Sequence, residues 1–411
     1  MSQSELIPHL FRTEYSRITA VLCNLFGLDN IGVAEDIASE TFLSAMETWP
    51  YKGIPANPTA WLYVAARNKA LNYLARNQTF RTKIEEKFRS ANHEELAFEI
   101  DLTDNTIADS QLRMMFAVCH PAIPVESQIG LALRILCGFG IDEIANAFLT
   151  SPETINKRLY RAREKLRACS SRLEFPAPAE IRNRLDTVLT TLYLLFNEGY
   201  YSESDDAVLR EDLCLEAMRL TYLLIENPQT SQPVVHALLA LMCFHASRFP
   251  ARRNQEGDII LYADQDDSLW NQELIAKGVE FLHLASREEK PSRYHLEAGI
   301  AYWHTVKADT HEKWENILQL YNNLLMLEYS PVAALNRTYA LSRVKGNKTA
   351  IEEAEKLKLV TNPYYFTLLG ELYRGIDDRK ALQHLRTARS LARTENDRKA
   401  IDRRLILFHG N

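Results

Sequence analysis

Cysteine is scarce in this 411-residue chain, and what there is shows no pattern. Cys23, Cys119, Cys137, Cys169, Cys214 and Cys243 form no C-x-x-C pair and no histidine spacing of a zinc site. Buried free thiols in a reducing compartment are expected, and no metal. The N-terminus, MSQSELIPHLFRTEY, lacks a basic start followed by an apolar core. No apolar run looks long enough to span a bilayer, so neither a leader nor a membrane segment is expected. A Gly-rich phosphate loop, a nucleophile elbow and H-E-x-x-H are all missing, and with them the expectation of an enzyme or a cofactor. Alternating β-branched runs are nearly absent, which predicts an all-α fold. Strong charge of one sign is lacking too: the net charge of −6 argues against indiscriminate nucleic-acid binding.

Basic residues are instead concentrated. Residues 61–91 carry seven Lys/Arg against two Glu, and 154–172 seven against one. Local patches decide where phosphate binds, so the acidic total is no objection. The second patch lies in GIDEIANAFLTSPETINKRLYRAREKLRACSSR, residues 140–172. Ile141, Ile144, Ala145 and Phe148 recur at i, i+3, i+4, i+7, one apolar face of a short helix. Leu149-Thr150-Ser151 breaks it; Ser151 suits an N-cap and Pro152 the first position of the next helix. There Ile155, Leu159, Ala162 and Leu166 line one side. Thr154, Asn156, Lys157, Arg158, Arg161 and Lys165 are the candidate DNA contacts on the rest of the cylinder. The phrase T-I-N-K-R-L-Y-R-A-R-E-K-L-R, preceded by D-E-I-A-N-A-F, resembles the fourth conserved region of bacterial sigma factors. That resemblance implies a helix-turn-helix reading the minus-thirty-five promoter element.

Upstream, helices are expected over about 8–27, 33–49 and 59–77. In VAEDIASETFLSAMETW, Ile37, Thr41 and Ala45 form the buried row, while Asp36, Glu40, Leu43 and Glu47 make an acidic stripe with one leucine. A-E-D-I-A-S-E-T-F-L is similar to the sigma segment that docks on the coiled coil of the RNA polymerase β′ subunit; for the chain as a whole the sigma resemblance implies a contact with the β flap too. In WLYVAARNKALNYLARN, Val64, Leu71 and Leu74 are expected to face the core, with Trp61, Asn68, Asn72 and Arg76 opposite and Lys69 beside them. A ring, two amides and two cations suit unstacked bases and their phosphates. This segment resembles the sigma region that melts and captures the minus-ten element; the family usually has an acidic residue where Asn72 stands, and Asn77 replaces an arginine beside Arg76.

The polar stretch after Phe80 reads as a linker. The domains expected are 1–80 (sigma region 2), 81–109 (linker), 110–174 (sigma region 4) and 175–411, a helical extension opening at Pro176-Ala177-Pro178. The C-H-P-A phrase at 119–122, L-F-N-E-G-Y, D-Q-D-x-S-L-W and S-P-V-A-A-L-N-R resemble one subgroup of extracytoplasmic-function (group 4) sigma factors, those with a long helical C-terminal extension. Asn336, Tyr339, Ala350 and Ala354 are echoed by Gly370, Tyr373, Ala381 and Ala388, at roughly 31 to 34 residues, the tetratricopeptide scale. Such a module implies a peptide or protein ligand.

The resemblance implies a cytoplasmic protein that binds core RNA polymerase and promoter DNA, starts transcription and is regulated by its own extension. A conventional helix-turn-helix regulator would leave the acidic stripe and the Trp61 face unexplained. An enzyme would need Asp264, Asp266 and Asp267 to meet His245, Glu198 and Asp212; such loop carboxylates ordinarily cap helices, as Asp267 or Ser268 could do before Leu269-Trp270.

Overall fold

The computed structural model describes residues 3–85, 100–148, 150–169, 173–201, 207–252, 260, 262–287, 290–392 and 395–406. All regular structure among them is helical, as the sequence predicts. The chain forms two compact units, Met1–Thr230 and Ser231–Asn411.

In the first unit, α1 (Gln3–Phe26) packs on α2 (Ile31–Lys52), α3 (Pro58–Glu85) and α4 (Asp104–Val118). Tyr15, Ile18, Leu22 and Cys23 are fully buried along α1. Gly27 ends it in a left-handed conformation (φ 81°), its N–H donating to Cys23 O at 2.9 Å. α2 ends the same way at Gly53 (φ 83°) and runs through Pro50. Helix therefore occupies both flanks of the expected linker, α3 reaching Glu85 and α4 starting at Asp104; residues 86–99 lie outside the described residues. Then follow α5 (Val125–Leu131), a five-residue π-helical segment at Ala132–Leu136, α6 (Ile141–Ala147) and α7 (Pro152–Cys169).

The unit closes later than Pro176. α8 (Pro178–Tyr201) and α9 (Ala207–Glu226) form a hairpin packed on α4 and α5. Arg184 donates to Phe116 O at 2.6 Å, Thr191 to Gln128 Oε1 at 3.0 Å and Arg219 to Gln111 Oε1 at 3.0 Å. Gln111, Gln128 and Thr191 are buried, so these bonds satisfy groups that water cannot reach.

The second unit comprises α10 (Pro233–Ala246), α11 (Gln272–Ala285), α12 (Arg293–Trp303), α13 (His311–Leu327), α14 (Pro331–Lys345), α15 (Asn347–Leu357), α16 (Pro363–Tyr373), α17 (Asp378–Leu391) and α18 (Glu395–Ile406). From α13 onward each helix packs mainly on its neighbours in sequence. The interior is accordingly a series of clusters, one around Trp314, Ile317 and Tyr321, the next around Ile351, Leu369 and Leu372, the last around Leu385, Ala388 and Ile401. Against expectation, one stretch, Pro233–Ala251, is apolar and long enough to cross a membrane, yet 72% of its 18-residue window is buried within the protein. A core helix sandwiched between α11 and α12 meets the same compositional test.

His304 sits edge-on to Tyr262 (5.1 Å) and to Trp314 (6.2 Å). Burial, and then the charges of Arg248 and Lys313, push its imidazole down to about 3. Unfolded, it titrates near about 6.5. The folded form refuses the proton, so this contribution to stability is complete above that value and is lost as the pH falls below it. At about pH 5 the expected loss is about 2 kcal/mol. Urea unfolding of the full chain at about pH 7 and pH 5 checks this, and His304→Gln should flatten the difference.

Candidate nucleic-acid interface

Three exposed surfaces of the first unit carry the residues singled out above. On α2, Ile37, Thr41, Phe42, Ala45 and Trp49 are buried, whereas Asp36, Glu40, Leu43 and Glu47 are exposed, Leu43 by 53%. The separation follows from the 3.6-residue period, which puts the two rows on different sides of one helix.

On α3 the inward row differs from the expected one. Leu62, Ala66 and Ala70 are fully buried, Leu71 and Leu74 are half-buried, and Val64 is 57% exposed. The alanines let α3 approach α2 closely, so small residues rather than the large ones define its inner face. Asn68, Asn72 and Arg76 are exposed. Trp61 is half-buried, its ring edge-on to Trp49 at 5.5 Å, and so has one flank held and another free to stack. The Lys69 ammonium lies 3.4 Å from Glu40 Oε2, so the α3 face and the acidic stripe of α2 adjoin. Tyr63 donates to Glu14 Oε2 at 2.6 Å, fixing α3 to α1.

α6 and α7 form two helices joined by a tight turn. Ser151 Oγ accepts from the Thr154 N–H at 3.2 Å, and Pro152 occupies the first helical position. Ile155, Leu159, Ala162 and Leu166 are buried, while Thr154, Asn156, Lys157, Arg161 and Lys165 are exposed. Lys157 pairs with Glu153 at 2.6 Å. Arg158 is half-buried; its guanidinium lies 3.7 Å from Glu126 and 5.9 Å from the Phe148 ring centre. Thr154, Asn156 and Lys157, early in α7, sit where a helix entering a major groove presents side chains to base edges. Arg161 and Lys165 further along suit phosphates.

One residue of this region escaped the sequence reading. Glu35, beside Asp36, is 6% exposed and contacts Arg134 and Arg163. Its place four residues after Ile31 and seven before Phe42, on the apolar row, was the available signal.

The loop carboxylates of the second unit form no comparable site. Asp266 Oδ1 accepts from the Ser268 N–H at 2.9 Å, so the cap is Asp266 rather than Asp267 or Ser268; Asp267 pairs with Lys307. Glu198 and Asp212 belong to the first unit. No group of three or more His, Cys, Asp or Glu among the described residues is placed to hold a metal ion.

Residues 10–80 match sigma-70 region 2, and residues 184–286 match a family of unknown function, DUF6596. An uncharacterized protein of Rhizobium meliloti is 33% identical over 397 residues, 92% of this chain and 90% of that protein. The ECF RNA polymerase sigma-E factors of Haemophilus influenzae and Escherichia coli are each 28% identical over 139 residues, about a third of this chain and 71% and 72% of those proteins. No solved structure matches the chain. The chain belongs to the same family as the Rhizobium meliloti protein and is a sigma-factor relative, with sigma-70 region 2 in its first unit.

Proposed function

We propose that the protein is an extracytoplasmic-function sigma factor of the subgroup with a tetratricopeptide-like C-terminal extension. It binds core RNA polymerase in the cytoplasm, recognises a two-part promoter and initiates transcription, without catalysis or cofactor of its own. The observation that carries this is the exposure of Asp36, Glu40, Leu43, Glu47, Asn68, Asn72 and Arg76 on region 2, with half-buried Trp61 and Lys69 beside them and the acidic stripe adjoining the α3 face. Asp36, Glu40, Leu43 and Glu47 dock on the β′ coiled coil. Trp61, Asn68, Lys69, Asn72 and Arg76 hold the melted minus-ten strand. Residues 110–174 act as sigma region 4, Thr154, Asn156, Lys157, Arg158, Arg161 and Lys165 reading the minus-thirty-five duplex near the β flap. The second unit regulates the first; tethering gives effective concentrations on the order of millimolar, so a weak surface suffices. Exposed Met326, Tyr329, Val332 and Tyr364 offer it apolar anchors for a protein or peptide ligand.

Run-off transcription with core polymerase, on templates that the full chain selects from a random library, tests the reading. Reversing charge at Asp36 and Glu40 together should abolish core binding while moving the thermal midpoint little, because exposed charges contribute little to folding. Replacing Lys157 or Arg161 by Ala should weaken minus-thirty-five binding, by about 1–3 kcal/mol with relaxed specificity for a base contact, or with a salt slope about one unit smaller for a phosphate contact. Transcription and binding equal to the parent in all of these variants would overturn the proposal.

A further inference from the structure

The second unit carries a cluster of cations and hydrogen-bond donors that promoter recognition leaves unused. Its centre is Tyr262, just ahead of the D-Q-D-x-S-L-W phrase at residues 264–270. The Lys313 ammonium on α13 donates to the Tyr262 hydroxyl at 3.0 Å and to Val306 O at 2.5 Å. Lys313 is only 1% exposed, yet among the described residues no carboxylate lies within ion-pair distance of it. Asp309, which acts on it through space, is taken up by Trp314 Nε1 at 2.5 Å and by Arg343 on α14. The same rings gather more positive charge. Arg248 lies 5.5 Å and Lys313 5.4 Å from the Tyr262 ring centre, and Arg343 5.5 Å and Lys313 5.8 Å from that of Trp314. Burial lowers the Lys313 pKa, Asp309 opposes this, and Arg248 and Arg343 lower it further.

Hydrogen bonding is one-sided in the same way. The Tyr262 hydroxyl accepts from Lys313, and its own proton has no acceptor among the described residues. Trp270, 6% exposed, stacks on Tyr262 at 6.3 Å, and its buried Nε1–H has no acceptor there either. His304 Nδ1, on a ring edge-on to Tyr262, is buried without a partner. An ammonium, a phenol and an indole gathered without an anion are costly to bury, and one acceptor would relieve all of them. Independently of the sigma reading, we infer that this cluster binds a small carboxylic acid with a flat apolar body. The carboxylate accepts from the Tyr262 hydroxyl and from Arg343, with the Lys313 charge behind the hydroxyl. Donation from Lys313 polarises that hydroxyl and makes it the stronger donor. The body lies along the rings of Tyr262, Trp314 and exposed Tyr339, and enters at the rim where Asp309 and Arg343 are exposed. A monoanion fits better than a phosphate dianion, because Asp309 at that rim repels a second charge, and two planar oxygens match the two outer donors.

Titration calorimetry of the full chain with benzoate tests this, with uncharged benzamide and inorganic phosphate as parallel probes. The expected result is one benzoate per chain with a dissociation constant of about 1 mM or below. Lys313→Met and Tyr262→Phe should each weaken it at least tenfold, and benzamide and phosphate should bind at least tenfold more weakly than benzoate. Tyr262→Phe keeps the ring and its stacking, so it decides alone if Lys313→Met does not fold. A parent that shows no saturable benzoate binding up to about 10 mM overturns the inference, as do folded variants that bind like the parent. Phosphate bound as tightly as benzoate overturns the assignment to a carboxylate. Nuclear magnetic resonance of the indole N–H groups then locates the ligand. On saturation with benzoate the signals of Trp270 and Trp314 should move while those of Trp49 and Trp61, in the first unit, hold still. Any other pattern puts the benzoate elsewhere and overturns the site.

Discussion

A chain ending at residue 175 is expected to lose cooperative folding of α4 and α5, whereas a chain ending at residue 230 keeps it. The hairpin of α8 and α9 supplies the cover for that half of the unit. Ile181, Leu185, Val188, Leu189, Leu192 and Leu195 are all buried on α8, and Leu213, Ala217, Leu220 and Leu224 on α9. Each Leu-sized side chain withdrawn from water contributes about 1.5–3 kcal/mol. Exposing only a few of the α4 and α5 side chains beneath them therefore rivals a typical domain stability of about 5–15 kcal/mol. Phe116 loses the Arg184 bond to its carbonyl, and Gln128 and Gln111 lose Thr191 and Arg219. Circular dichroism melts should show a midpoint at least about 10 °C lower for the shorter chain, or no cooperative transition, since about 1 kcal/mol moves a unit of this size by about 2–4 °C. Coincident melts would mean that the hairpin is a passenger. The transcription assay for internal regulation should accordingly compare the full chain with residues 1–230.

Glycine substitutions separate tight helix packing from open surface. A Cβ at Gly278 on α11 would lie 2.6 Å from Phe244 Cε1, and one at Gly370 on α16 would lie 2.7 Å from Leu385 Cγ. Phe244 and Leu385 are both fully buried and have nowhere to retreat. Overpacking of this kind costs about 1–3 kcal/mol, occasionally more, and a β-branched residue lies at the upper end. Gly278→Val and Gly370→Val are expected to destabilise the second unit by about 3 kcal/mol each, read as a lower urea midpoint at unchanged slope. Gly32 on α2 has nothing within 4 Å of its would-be Cβ. Gly32→Ala should stabilise by about 0.5–1 kcal/mol through the entropy of the unfolded chain. If all three variants shift stability in the same direction, helix–helix distance is not what the two buried glycines protect.

The legible parts of the sequence were those governed by local chemistry. The turn between α6 and α7 was written in Ser151 and Pro152, and the inner row of α7 in four residues at helical spacing. The outward faces of α2 and α3 followed from charge and amide placement. What stayed hidden depends on partners distant in sequence. The inner face of α3 is made by Ala66 and Ala70, which size-weighted patterns undervalue and which close helix approach rewards. Glu35 reads as one more acidic residue until Arg134 and Arg163 arrive from about 100 and 128 residues away. Pro176-Ala177-Pro178 looks like a boundary locally, but α8 packs on α4 and α5 as well as on α9.

Because the later helices of the second unit meet mainly their sequence neighbours, that unit has no keystone. Its growth is modular. A helical pair added or lost at the C-terminal end changes one junction and leaves the earlier ones as they were, so gene duplication or truncation can lengthen or shorten the array in whole steps. Under load or gentle heating the same property makes it open like a zip, with α18 and α17 parting before the cluster around Trp314 is disturbed.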